Sequence, residues 1–169
     1  RDGRFLGGYS DNNLIKGNTV TGGNTSWSYT IQIMGKNNVI EGNNVSGGYR
    51  GISTQDNINN TIINNEVNGT AQGIYACEGA IVLNNLVHVN GTTNGITVGG
   101  DNAIIRNNTI TGNYGPAIEI SANKVTIADN TISTTKGYGI YSKGKYNTIV
   151  LDNNKINSGK EGIMFKKQS

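Results

Sequence analysis

Three acidic residues, Asp56, Glu78 and Asp101, recur about once every 22 residues, each four or five positions after an isoleucine (Ile52, Ile74 and Ile96). Stacked at one corner of a repeating fold, their carboxylates would lie one strand spacing apart, roughly 4.8 Å. Like charges at that separation repel unless water, a proton or a cation comes between them. Two readings are open: a solvated edge, or an oxygen-rich site of the kind that suits calcium. A second group joins charges to aromatic rings: Arg50 near Tyr75 and the acidic series, and Glu119 beside Tyr141. Abstracting a proton next to a carboxyl group needs a base, and a cation to steady the charge that forms; these residues supply both types. Tyr29 and Tyr138 fall in a matching series. A tyrosine offers an apolar ring and a hydroxyl, a combination suited to sugar rings and their hydroxyl groups. The plainer reading is that aromatic residues fit any exposed pleated sheet. The one histidine, His88, stands between Val87 and Val89 and alternates outward to the surface.

What would position these residues is a repeat. Asn18, Asn43, Asn65, Asn85, Asn108, Asn130 and Asn154 advance by 25, 22, 20, 23, 22 and 24 residues, and each is followed two positions later by Val or Ile. A second series, Ile31, Ile52, Ile74, Ile96, Ile118, Ile140 and Ile163, advances by 21, 22, 22, 22, 22 and 23. A fixed period of this length is the mark of a solenoid, in which each unit buries its apolar face against its neighbours. Every unit holds three short extended segments, rich in Val, Ile and Thr and separated by Gly and Asn corners, with no helical periodicity. The expected fold is all-β: a parallel β-helix of about seven turns with three short strands per turn.

The asparagine column has an expected physical cause. Stacked side-chain amides can bond to one another along the axis, and Asn tolerates the left-handed backbone of a tight corner better than most residues. Strand alternation places Gln32, Ser53, Tyr75, Thr97, Glu119, Tyr141 and Met164 on an outward column, with Tyr29, Arg50, Gln72, Asn94, Pro116, Tyr138 and Glu161 beside it. On this reading Ser53 and Thr97 are exposed and tolerant of change, whereas Ile96 and Ile118 are core.

Composition narrows the function classes. Of 169 residues 34% are hydrophobic and 28 are Asn; the apolar residues fall on the repeat, so one long narrow core runs through a single domain, residues 1–169. A net charge of +3, with no basic stripe joined to stacking aromatics, argues against nucleic acid. No apolar run approaches the length of a membrane-spanning helix, so membrane insertion is not expected. One cysteine, Cys77, excludes an internal disulfide framework. Late lysines, among them Lys136, Lys143, Lys145, Lys160, Lys166 and Lys167, suit either a solvated surface or attraction of an anionic polymer. The opening residues Arg1-Asp2-Gly3 carry the expectation that the chain is a piece of a longer protein. Oligomeric state is not legible.

The pattern Asn-Asn-x-Ile followed by Gly-Ile, carried well by Asn57–Val67 and Asn147–Ile156, resembles the right-handed parallel β-helix repeats of the pectate-lyase-like superfamily. It is most similar to the Asn-rich repeats of NosD-like periplasmic proteins and of microbial surface proteins. The resemblance implies an extracellular, cell-surface or periplasmic module that binds or displays against polysaccharide, with no cofactor beyond the calcium considered above. It leaves open a polysaccharide lyase, hydrolase or epimerase, although the Asn-Thr-Asp, Gly-His-Gly, Arg-Ile-Lys and Asp-Pro-His signatures of such enzymes do not occur here. Fold alone does not choose between binding and catalysis.

Overall fold

Valine and isoleucine at alternate positions favour short pleated segments, and asparagine or glycine between them ends each after three to five residues. In the fourth turn this gives strands Ile81–Leu83, Leu86–Val89 and Ile96–Val98. The computed structural model describes residues 10–23, 25–55, 57–144 and 148–166. Within them, each turn repeats the three strands, and equivalent strands of successive turns pair in parallel to form three seven-stranded sheets. Register follows the repeat: Val82 pairs with Ile62 and Ile105, Val87 with Val67 and Ile110, and Ile96 with Ile74 and Ile118.

The core is the inward residue of each strand. Ile62, Val67 and Ile74 of one turn lie beneath Val82, Val87 and Ile96 of the next, and all are fully buried. Burial is lower in the first and last described turns, where Ile15, Val20, Leu151 and Ile156 are half-covered and Ile163 is 51% exposed.

The asparagine column forms a continuous ladder. The backbone N–H of Asn65 donates to Asn85 Oδ1 at 2.9 Å, and the two hydrogens on its Nδ2 are shared among three acceptors, the same oxygen at 3.0 Å, Ile40 O at 2.9 Å and Ile63 O at 3.1 Å. Asn18, Asn43, Asn85, Asn108 and Asn130 each make the same two bonds to the next Oδ1, ending at Asn154. The structure corrects one detail. The left-handed backbone belongs not to the ladder residue but to the one before it: Gly17, Gly42, Asn64, Asn84, Asn107, Asp129 and Asn153, at φ 68, 62, 56, 55, 54, 56 and 47°. The Asn-Asn pair thus divides the labour, the first residue turning the chain and the second saturating it with hydrogen bonds. A shorter second ladder, Asn13, Asn38 and Asn60, runs at the preceding corner. It stops where buried Ala80, Ala103 and Val125 occupy the equivalent corner positions.

Candidate functional site

Outward residues of the third sheet stack as alternation requires, Gln32, Ser53, Tyr75, Thr97, Glu119, Tyr141 and Met164 forming one column across successive strands. Their expected exposure fails in the middle. Ser53 is fully buried and Thr97, Glu119 and Gln72 are 6 to 7% exposed. The long side chains of the adjoining column, with the segment Thr92–Asn94, wall in a cleft of about 350 Å³ instead of leaving a flat sheet. Tyr49, Arg50, Gln72, Tyr75, Glu119 and Lys143 line it.

Arg50 is held by its neighbours. Its guanidinium carbon lies 5.4 Å from the Tyr29 ring centre and 4.7 Å from that of Tyr75, and Nη1 donates to Gln55 Oε1 at 2.7 Å. Cation–π contact with two rings explains why the side chain lies along its strand rather than extending into water. No carboxylate pairs with it among the described residues. Next to it, Gln72 Nε2 donates to Thr97 Oγ1 at 2.6 Å, which also accepts from Asn94 Nδ2 at 3.1 Å. Arg50 Nε, Ser53 Oγ and Gln72 Oε1 are buried without a hydrogen-bond partner, and they are the atoms so placed among the described residues. Such groups are few in native proteins because each costs about 1–3 kcal/mol. Here they gather in two adjacent turns, and two of the residues, Arg50 and Gln72, line the cleft.

Toward the end of the cleft held by Glu119 and Lys143 the character changes. Glu119 accepts from Lys143 Nζ at 2.7 Å. Tyr138 and Tyr141 stack with ring centres 5.0 Å apart and planes 26° from parallel, and Lys160 Nζ lies 4.9 Å over the Tyr138 ring. Of the six residues that sequence singled out on this face, Tyr29, Arg50 and Tyr75 therefore form one cluster and Tyr138 and Tyr141 a second. Glu119 sits between, paired in register with Tyr141.

The acidic series behaves differently. Asp56 lies outside the described residues, as do Lys145 and Lys167. Glu78 is exposed, on a second cleft of about 290 Å³ shared with Tyr75, Cys77 and Gly100. Asp101 is engaged: its Oδ1 accepts from the Asn123 N–H at 2.8 Å, and its carbonyl accepts from Gly79 N at 2.8 Å. Among the described residues no three His, Cys, Asp or Glu side chains converge as a metal site. His88 is on the outer face of the second sheet, Nδ1 2.7 Å from Thr111 Oγ1, with Asn68, Thr111 and Ser133 at its equivalent positions.

Sequence reasoning passed over Trp27 and Tyr49, whose rings lie 5.7 Å apart, with Trp27 75% exposed. A signal was present: the longest step of the asparagine series, 25 residues, is the one that contains this tryptophan.

No curated protein matches the chain. A solved structure of QnrB1, a plasmid-mediated fluoroquinolone resistance protein, aligns over 93% of this chain and 92% of its own at 9% identity, with a TM-score of 0.31. That likeness is too loose to bear on fold or function. Residues 12–169 match the family model described as periplasmic copper-binding protein (NosD). With nearly the whole chain matched and its turns stacked as a right-handed parallel β-helix, the protein belongs to the NosD family.

Proposed function

We propose that this chain is a periplasmic or surface β-helix module that holds a polysaccharide in the third-sheet cleft without cleaving it. The observation that carries the reading is the cluster of Arg50, Tyr75 and Gln72 that lines the cleft: an aromatic-clamped cation beside polar atoms that lack partners. Saccharides supply what such a surface lacks, hydroxyl groups that both donate and accept, on rings whose apolar faces suit tyrosine. Holding rather than cutting is favoured because Glu119, the carboxylate in the cleft, already accepts from Lys143. A general base must reach a substrate proton to act. The periplasmic description of the family supports the location.

Copper, which the family description names, does not fit the residues at hand. Soft donors would be Cys77, His88, Met34 and Met164, but Cys77 is buried in the third-sheet corner while His88 lies on the outer face of the second sheet.

The test is a binding screen of the chain against acidic and neutral polysaccharides, followed by calorimetry with the best of them. Binding should weaken by about tenfold or more in Tyr75→Ala, with no unsaturated product detected by ultraviolet absorbance. Retained affinity in the variant would remove the cleft from the account, and product formation would convert the module into a lyase.

A further inference from the structure

We infer that a second binding trough runs around the corner from this cleft, and that a long saccharide chain occupies both by passing over Tyr49. The inference rests on the cleft reading above. Tyr49 lines both depressions. The second, of about 400 Å³, is bordered by Thr25, Ser26, Gly48, Gly69, Ala71 and Gly91. It crosses four successive turns, so its floor is roughly 14 Å long at three strand spacings.

Its construction favours a flat polar ring. Gly48, Gly69, Ala71 and Gly91 leave the floor almost without side chains. At Gly48 and Gly69 the backbone is left-handed, with φ 73 and 70°, and at Gly91 a Cβ would fall 2.8 Å from Ala71 Cα, so glycine is required for the turns to stack. Thr25 and Ser26 bring hydroxyls to one rim. Beside them stands Trp27, 75% exposed, its ring tilted 46° against Tyr49. A large indole left in water is disfavoured unless it meets a partner, and its π-face with a single N–H donor suits a sugar ring better than a greasy protein surface would. The rest of the trough, floored by Gly48, Gly69, Ala71 and Gly91, offers an apolar side chain little to interlock with.

Trp27 is the single tryptophan of the chain and stands against Tyr49 at the trough's end, so tryptophan emission reports this part of the surface. The experiment uses galacturonate oligomers and cello-oligosaccharides, each as trimer and as octamer. The octamer of whichever sugar binds should shift Trp27 emission and bind about tenfold more tightly than its trimer, because the second contact is intramolecular once the first is made. The trimer, filling the cleft alone, should move the emission less than the octamer does. Gly69→Asn is the decisive variant. Asparagine takes a left-handed backbone readily, as Asn64 and Asn84 do here, and a Cβ at position 69 meets nothing within 4 Å, so the fold should hold while the trough fills. It should bring both the emission shift and the affinity of the octamer down to those of the trimer. Octamer affinity and emission unchanged in Gly69→Asn would overturn the second trough while leaving the cleft intact. No binding by either sugar at either length would overturn both.

Discussion

Two long faces of the same solenoid follow opposite rules. At the corner between the first and second sheets, turn after turn presents the same Asn with the same bonds, and each described ladder amide from Asn43 to Asn130 has its donors and acceptor engaged. On the outer face of the third sheet no two successive turns present the same residue, and the unpartnered buried atoms lie there. A stack can be built only if each unit resembles its neighbours, so sameness marks what folding demands. Departure from sameness, where it carries an energetic cost, marks what something else demands.

The contrast can be broken by substitution, beginning with the core that both faces share. Ile118→Ala should lower unfolding free energy by about 2–5 kcal/mol, since a cavity between two turns cannot collapse without shifting both. Denaturant titration measures it. Next comes the ladder: Asn85→Ala removes a side chain that meets five polar groups on four residues and should cost about 1–3 kcal/mol. The contrasting change on the other face is Ser53→Ala. Its hydroxyl is fully buried and bonded to nothing, so its loss should be neutral or stabilising by up to about 1 kcal/mol. A loss as large as that of Asn85→Ala would mean that the two faces do not differ. Smallest of all is the acidic corner. If Glu78 and Asp101 with Asp56 bind calcium, millimolar Ca²⁺ should raise the melting temperature by a few degrees at most, and Glu78→Gln should remove the rise. A flat calorimetric response makes the series a solvated edge.

Much of the fold was legible because it rests on spacing. The inward isoleucines and the ladder asparagines are fixed by the period, and the structure places each at the expected register. The turn-making role was misplaced by one residue, since Asn64 and Asn65 are the same amino acid in one dipeptide and only the backbone tells them apart. The site was legible in part. Alternation put Arg50, Tyr75 and Glu119 on one face, but alternation says only which way a side chain starts. It does not say that Arg50 reaches along its own strand to Gln55, or that Gln72 and Asn94 reach over to Thr97 Oγ1, and Ser53 and Thr97 are buried rather than exposed. The trough by Trp27 escaped because it is made of what is missing, glycine side chains, and glycine in a repeat reads first as a corner.

The central claim, that the repeating face holds the fold and the varying face holds a ligand, is tested most directly by measuring melting temperature and saccharide affinity together in Arg50→Gln and Asn85→Ala. Arg50→Gln should lose about tenfold or more in affinity while melting within about two degrees of the parent. Asn85→Ala should melt several degrees lower and, below its transition, bind as the parent does. Equal affinity in the parent and in Arg50→Gln, or a comparable fall in melting temperature for both variants, would contradict it.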